Sequence, residues 1–198
     1  MRCKLCDHNI DSISLYDIFF ERDVLCRECR DKMKFKHRHF KIDNIDAEYF
    51  YDYSDAFKTL LVQYKECYDE ALYDAFLYKI DTYINLRYFG YKIMFANSSP
   101  SKLKQRGFNH LKLMFKSVNL KEAKGLEIKE DINQQGKTYY QRSCMANNYI
   151  YNGEKLDKVL IVDDVYATGN TIKGIYKAIK PYANTIKVLV LGKTKLYR

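Results

Sequence analysis

The chain has 198 residues, 47% hydrophobic and 30% charged, a composition that supports a packed core and suits a soluble protein of about one domain. No apolar run approaches the roughly 18 residues of a membrane helix. Residues 1–10 lack the apolar region of a secretion signal, so we expect a cytoplasmic protein without membrane insertion or disulfides. The net charge of +9 indicates an anionic partner, although the Lys- and Asn-rich usage of an AT-rich genome explains it too.

The first recognisable element is a pair of C-x-x-C motifs. Their spacing, C-x2-C-x19-C-x2-C, is typical of structural zinc sites, and it is formed by Cys3, Cys6, Cys26 and Cys29. One such motif alone leaves a redox function or unrelated thiols open, whereas two favour Zn²⁺, which four thiolates suit best. Because four protein ligands leave no open coordination position, we predict a structural zinc module over residues 1–40.

A basic segment follows the fourth cysteine and extends to residue 41. Its aromatic and imidazole side chains alternate with positive charges and could stack on bases, whereas a solvated helix end leading into a strand is an equally good alternative. The predicted nucleic-acid contacts are Lys32, Lys34, Lys36 and Arg38. His37 and His39 do not share a helix face, and the four cysteines already complete a metal site, so we expect no ligand role for them.

Residues 41–90 are predicted to form a helical hood, the first part of an α/β domain over residues 41–198. A strand is expected at 46–53, followed by a helix that Ser54 or Asp55 caps. The apolar positions of that helix follow the helical period and are Phe57, Leu60, Leu61 and Tyr64. A second helix is expected from about Asp69, through Leu72, Phe76, Ile80 and Ile84.

Residues 91–198 are predicted to form the core of this domain. Strands are expected at 91–96, 124–130, 159–164 and 185–192, with helices at 110–118 and 169–180 and a polar loop at 131–148. This alternation, with a continuous apolar strand, predicts a parallel sheet flanked by helices. Ligands of such sheets bind beyond the carboxyl ends of the strands, where the polar runs ANSSPSKLKQRG and DDVYATGNT lie.

The run VLIVDDVYATGNT at residues 159–171 carries the strongest functional signal. The turn offers helix N-terminal N–H groups and hydroxyls, and we predict a monophosphate cradle from Ala167, Thr168, Gly169, Asn170 and Thr171. A phosphate there places its sugar over the strand end, where Asp163 and Asp164 accept hydrogen bonds from ribose hydroxyls. The alternative is a generic strand end with two surface acids. No basic residue lies beside them in sequence, and we expect no core partners, so that replacing both leaves stability little changed.

The same run resembles the signature of type I phosphoribosyltransferases, which implies binding of 5-phosphoribosyl-1-diphosphate with Mg²⁺. With the four-cysteine head, the chain resembles the ComF-type competence proteins over nearly its whole length. Residues 57–77 resemble that family's helical stretch with its lysine, here Lys65, and QRGFNH resembles its Arg-Gly-Phe-Asn-Gln element. The resemblance implies a type I phosphoribosyltransferase-like sheet flanked by helices, with a small N-terminal zinc-binding module.

Two departures from the family pattern bear on the site. In the family, the loop between the first core strand and its helix usually carries a Pro-x-Pro run, whereas here it reads ANSSPS. We expect this loop to bind diphosphate through Ser98, Ser99, Ser101 and Lys104. Arg106 or Lys104 would neutralise diphosphate oxygens, and the expected catalytic set is Asp163, Asp164 and Arg106. Ala167 stands where a threonine is common, which removes a hydroxyl but keeps the backbone N–H.

The resemblance implies a role in single-stranded DNA uptake during natural transformation, with a helicase and a recombination mediator as partners. Residues 101–116 contain no acid, and with the basic segment they predict a path for single-stranded DNA that includes Lys102 and Lys104. We rank a competence accessory protein that binds phosphoribosyl diphosphate first. A catalytically active phosphoribosyltransferase with an unidentified acceptor ranks second, because no base-selecting element is recognisable.

Overall fold

The structure is a computed structural model that describes residues 1–10, 15, 23–97, 100–128 and 149–194. The helices are α1 (Arg27–Lys32), α2 (Asp55–Glu66), α3 (Asp81–Arg87), α4 (Pro100–Arg106), α5 (His110–Met114) and α6 (Asn170–Ile179), with 3-10 turns at Glu70–Ala75 and Lys180–Tyr182. The strands are β1 (Phe35–Ile42), β2 (Ile45–Asp52), β3 (Lys92–Phe95), β4 (Lys121–Glu122), β5 (Leu126–Ile128), β6 (Tyr149–Tyr151), β7 (Leu156–Tyr166) and β8 (Ala183–Lys193).

Among the described residues, the main sheet has six strands in the order β1-β2-β8-β7-β3-β4. Strand β1 is antiparallel to β2, and every other adjacent pair is parallel. Strands β5 and β6 form a separate antiparallel pair. The protein is therefore an α/β protein with a mostly parallel sheet and flanking helices, as predicted.

Strand β7 is central to the sheet, between β8 and β3. Its residues 159–162 are fully buried, which explains the uninterrupted apolar run, since a central parallel strand is covered on both faces. The amphipathic helix α6 buries Ile172, Ile175 and Ile179. Strand β7 continues beyond the two carboxylates to Tyr166 and stays paired with β8, with Asp163 opposite Val190. Its pairing with β3 ends at Val162, so Asp163 and Asp164 lie within β7 but past the end of β3.

The four-cysteine head packs onto the rest of the protein. Cys3 and Cys29 belong to the same buried cluster as the sheet residues. Lys4 Nζ lies 3.0 Å from the carboxylate of Asp74, and an Arg30 nitrogen donates to the Ala75 carbonyl at 2.7 Å. The 3-10 turn Glu70–Ala75 is thus the surface on which the head rests.

The helix α2 agrees with its prediction, because Ser54 accepts a hydrogen bond from Phe57 N and the four expected apolar side chains are buried. The second predicted helix is wrong in part. The segment forms a 3-10 turn and then α3, because Lys79 has a φ of +62°, which an α-helix does not accommodate. Helix α4, which Pro100 begins, was not anticipated, and α5 ends at Met114, before the predicted Val118.

Strand β1 begins within the predicted zinc module. It pairs with β2 from Phe35 opposite Tyr51 to Ile42 opposite Ile45, so the sheet starts at Phe35. The predicted loop at residues 131–148 lies outside the described residues. Among the helices that the structure describes, none is both long and apolar enough to cross a membrane.

Candidate functional site

The four cysteines of the head come together as predicted. The Sγ atoms of Cys3, Cys6, Cys26 and Cys29 all lie within 4.8 Å of one another, and those of Cys6 and Cys26 are 3.6 Å apart. A tetrahedral site with Zn–S bonds of about 2.3 Å separates its sulfurs by about 3.7 Å. The donor set and its spacing therefore fit a closed zinc site.

A second site is a cavity of about 420 Å³ at the carboxyl end of β3 and β7. Its lining combines side chains from α2, α4, α5, α6 and β7 with residues after β3 and from β5 and β6: Lys65, Ala96, Asn97, Lys102, His110, Ile128, Tyr149, Asp163, Asp164, Val165 and Thr171. The volume suits a small ligand, and the lining is mainly polar and charged. Asp163, Asp164, Thr171 and Lys102, chosen from sequence, thus meet in one place.

Asp164 corrects the expectation of an acid pair without partners. The residue is only 6% exposed, and its Oδ2 contacts Lys65 Nζ and, at 3.1 Å, His110 Nε2. Lys65 and His110 lie far from Asp164 in the chain, and the fold of α2 and α5 over β7 brings them to it. Asp164 is therefore a partnered, buried carboxylate.

His110 links Asp164 to Arg106. An Arg106 terminal nitrogen lies 2.9 Å from His110 Nδ1, and a guanidinium can only donate, so Nδ1 carries the lone pair and Nε2–H donates to Asp164. Burial lowers the pKa of His110, and this outweighs the opposing effect of the Asp164 hydrogen bond. His110 is accordingly a neutral donor that positions Asp164.

Arg106 is 9% exposed and is held by protein groups. Its Nε donates to the Lys65 carbonyl at 2.9 Å, and a terminal nitrogen lies 3.7 Å from Glu66 Oε1. The side chain lies behind Lys65 and His110 and is not among the lining residues of the cavity. This arrangement fits a positioning role better than the expected direct contact with diphosphate.

The two aspartates differ in their tendency to ionise. Burial disfavours the charged form of Asp164, but the His110 hydrogen bond and the Lys65 charge together lower its pKa. Partial burial and the adjacent Asp164 charge raise the pKa of Asp163 well above its usual value. Asp163 Oδ1 accepts the Asp164 N–H at 2.8 Å. The site therefore holds one carboxylate whose pKa its partners lower and one whose pKa burial and a neighbouring charge raise.

The turn before α6 contains a glycine in the left-handed conformation. Gly169 has a φ of +76° and caps α6, where its carbonyl accepts the Lys173 N–H at 2.9 Å. Thr171 lines the cavity, while Ala167, Thr168 and Asn170 are exposed. A Cβ on Gly169 would lie 2.7 Å from the Tyr166 ring, so a second constraint beside φ favours glycine there.

The predicted diphosphate loop is described only in part. Ser98 and Ser99 lie outside the described residues, while Ser101 and Lys104 are exposed on α4. Asn97, which lines the cavity, accepts a hydrogen bond from Asn109 at 2.8 Å, and Asn109 also caps α5. This bond ties the loop after β3 to α5, beside the carboxylates.

The predicted nucleic-acid residues form two groups. Lys32 pairs with Glu28 and Lys36 with Asp52, whereas Lys34 and Arg38 are exposed and make no ion pair with any described residue. Strands β1 and β3 are four strand spacings, about 19 Å, apart in the sheet, and the second group lies on α4, the helix that follows β3. The start of β1 and α4 both lie at the carboxyl edge of the parallel strands.

His110 is the site residue that sequence reasoning missed. The available signal was its position in QRGFNH, four residues after Arg106; the turn between α4 and α5 brings the two side chains together. Lys65 was noted only by resemblance, and nothing local in α2 shows that it reaches Asp164.

No family model matches the chain, and no curated protein matches it. Among solved structures, the chain is similar to a hypoxanthine phosphoribosyltransferase from Staphylococcus aureus. The identity is 14%, the match covers 63% of this chain and 64% of that one, and the TM-score is 0.36. A similarity this low supports no conclusion about this chain. The fold class is assigned from the order and directions of the strands in the sheet.

Proposed function

We propose that the cavity binds 5-phosphoribosyl-1-diphosphate together with Mg²⁺. The observation that carries this proposal is that Asp163 and Asp164 line the same cavity as Thr171 of the α6 N-terminus and the ammonium-bearing Lys65 and Lys102. A helix N-terminus and two lysines suit phosphates, and a carboxylate pair suits vicinal hydroxyls. A pentose phosphate carries both chemistries on one small molecule.

The hydrogen bonds leave acceptors for the sugar. Among the described residues, Lys65 and His110 both contact Oδ2 of Asp164, and the backbone N–H of Asp164 donates to Oδ1 of Asp163. Asp164 Oδ1 and Asp163 Oδ2 then accept from two adjacent ribose hydroxyls. Lys65 and His110 keep Asp164 ionised and oriented before the ligand arrives, which lowers the entropic cost of binding.

Magnesium fits the same residues. Mg²⁺ prefers oxygen ligands and is usually held by one or two carboxylates together with substrate phosphates, and Asp163 and Asp164 supply the carboxylates. When bound, the ion neutralises charge on the diphosphate. Its positive charge also favours ionisation of Asp163, whose pKa burial and Asp164 raise in the free protein.

A direct test is titration of Mg²⁺-phosphoribosyl diphosphate into the parent protein and into Asp163→Asn. Loss of one charge-assisted acceptor, about 1.5–3 kcal/mol, lowers the affinity about tenfold or more. Asp157→Asn is the matched control, because Asp157 is exposed near the opposite end of the same strand. Equal affinities of parent and Asp163→Asn would contradict the proposal, as would no binding by the parent.

We place this site in a cytoplasmic accessory protein for DNA uptake, of the ComF type, that also binds single-stranded DNA. Support comes from the sequence resemblance and from the two basic groups at the carboxyl edge of the sheet. The implied helicase and recombination-mediator partners belong to the same proposal. Turnover by a true phosphoribosyltransferase is the second candidate, and diphosphate release in the presence of candidate acceptors distinguishes the two.

The salt dependence of oligonucleotide binding tests the DNA proposal. For single strands the logarithm of affinity falls with the logarithm of salt by about 0.7 per neutralised phosphate. Lys34→Ala/Arg38→Ala is expected to flatten the slope, because both side chains are exposed and unpaired among the described residues. Lys155→Ala/Lys158→Ala, at the amino end of β7, is the control. A flat salt response of the parent protein contradicts single-stranded DNA binding.

A further inference from the structure

A second cluster of possible metal ligands lies on the first two strands, away from the cysteines and the cavity. His37 and His39 are two residues apart on β1, and the centroids of their rings are 4.9 Å apart. Glu48 of β2 is opposite His39 in the register. One ligand atom from each of the three residues lies within 4.8 Å of the others. The strand geometry thus assembles two imidazoles and a carboxylate that the sequence alone did not connect.

The distances approach those of a coordination shell. His37 Nε2 is 2.9 Å and His39 Nδ1 is 3.6 Å from the same oxygen, Glu48 Oε2. Ligand atoms about 2.0–2.2 Å from a zinc-sized ion are separated from each other by roughly 3.0–3.5 Å. Small movements of exposed imidazoles are sufficient to close the shell, because the His39 side chain is 67% exposed.

The carboxylate is held in place by a second layer of donors. Tyr83 donates to Glu48 Oε2 at 3.0 Å and Tyr88 donates to Oε1 at 2.6 Å. Hydrogen-bonded carboxylates of this kind are typical of metal sites, where such partners orient the ligand.

The first imidazole is oriented by packing. The His37 ring stacks on Phe50 with centroids 4.9 Å apart and meets the edge of Tyr83 at the same distance. Only 29% of its side chain is exposed. A ligand restricted in this way loses little conformational freedom on binding an ion.

The charge balance at Glu48 points in the same direction. Glu48 is 2% exposed, and a buried carboxylate is costly without a positive partner. Within the part of the chain that the structure describes, its ionisable partners across an ion-pair distance are only His37 and His39. A divalent ion bound by the three residues places positive charge directly beside this carboxylate.

We propose that His37, His39 and Glu48 form a binding site for a divalent first-row transition ion such as Zn²⁺. Imidazole and carboxylate ligands suit these ions, and three protein ligands leave at least one coordination position for water or another small ligand. The site differs from the four-cysteine site, which is closed, and from the cavity, which offers oxygen ligands for Mg²⁺.

Metal stoichiometry tests the proposal. After the cysteine site is filled with zinc, the full-length protein is titrated with further Zn²⁺ and the bound metal is measured after equilibrium dialysis. The parent is expected to take up one more equivalent than His37→Ala/His39→Ala. The matched control is Lys36→Ala/Arg38→Ala, which truncates two exposed side chains between and beside the histidines and keeps the extra equivalent.

Cobalt gives a readout that does not depend on how well the variant folds. Added to the zinc-filled parent, Co²⁺ is expected to produce ligand-field absorption without thiolate charge-transfer bands, since the ligands are nitrogen and oxygen. Tyr88→Phe removes one donor to Glu48 and is expected to weaken Zn²⁺ binding about tenfold. The proposal is wrong if the parent takes up no additional zinc, or if the double histidine variant binds as much as the parent.

Discussion

The four-cysteine head and the carboxylate cavity are assembled in opposite ways. The head collects its ligands from two C-x-x-C motifs that lie within the first 29 residues. The cavity collects its lining from elements between Lys65 and Thr171, which meet only because the sheet orders β7 and β3 side by side. A short-range metal site is therefore expected to depend on its ion, whereas the cavity is expected to depend on the fold of the whole domain.

Removal of zinc is expected to have the largest effect. Small zinc modules derive much of their folding free energy from the metal, so strong chelation or Cys29→Ser should open residues 1–10 and 23–32 while the sheet persists. Hydrogen exchange combined with elemental analysis measures both outcomes. Freshly purified protein without metal would contradict the zinc assignment. If the sheet unfolded together with the head, the two regions would not be independent. The contacts of Lys4 with Asp74 and of Arg30 with Ala75 would explain that coupling.

Asp164→Asn is expected to destabilise the domain by on the order of 3 kcal/mol. It leaves Lys65, whose side chain is 21% exposed, without its anionic partner, and breaking a buried pair from one side is costly. Urea unfolding measures this loss, and Asp163→Asn, which keeps the ion pair, serves as the control. Adding Lys65→Met should restore part of the stability. An unchanged midpoint would mean that Asp164 behaves as a solvated strand end.

Gly169→Ala is expected to cost about 2 kcal/mol. A non-glycine residue in the left-handed region costs roughly 1–2 kcal/mol, and here the added Cβ also lies 2.7 Å from the Tyr166 ring. Gly90→Ala separates the two effects, because Gly90 has a similar φ of +81° with no atom within 4 Å of an added Cβ. Equal losses in thermal unfolding of the two variants would show that the Tyr166 contact is not limiting.

The smallest predicted effect is the pH dependence that His110 contributes. The pKa of His110 is lowered in the folded state, so the unfolded chain binds the proton more readily. Stability is then fully present above the unfolded pKa, near 6.5, and is lost as pH falls through the lower folded pKa. His110→Gln donates a hydrogen bond without titrating and should flatten the curve between about pH 7 and pH 5.

Zinc loss on acidification has the same sign, because thiolates become protonated. The comparison of parent and His110→Gln removes this contribution, provided that metal content is measured at each pH. If the parent instead gains stability relative to His110→Gln on acidification, His110 is charged and paired with Asp164, and the tautomer inferred from Arg106 is wrong.

The sequence predictions were more accurate for some helices and strands than for others, and the reason is physical. Helix α2 and strand β7 were predictable because their apolar periodicity reports burial directly. The prediction of the second helix was wrong at Lys79, whose backbone is left-handed. A glycine would have indicated this conformation in the sequence, but a lysine does not. His37 and His39 were not expected to be ligands, because they do not share a helix face and four cysteines already complete a metal site. Their closeness to Glu48 depends on the register of β1 with β2, which the sequence does not show.

The sequence by itself determined the cysteine ligand set, the order of strands and helices along most of the described chain, and the acidic strand with its glycine turn. Each of these depends on spacing or period within a few residues, where local geometry decides the outcome. Only the tertiary structure decided that Asp164 is buried against Lys65 and His110, and that Arg106 lies behind them. Those contacts join residues 41 to 99 positions apart, and which of the many charged side chains meet is set by strand order and helix packing.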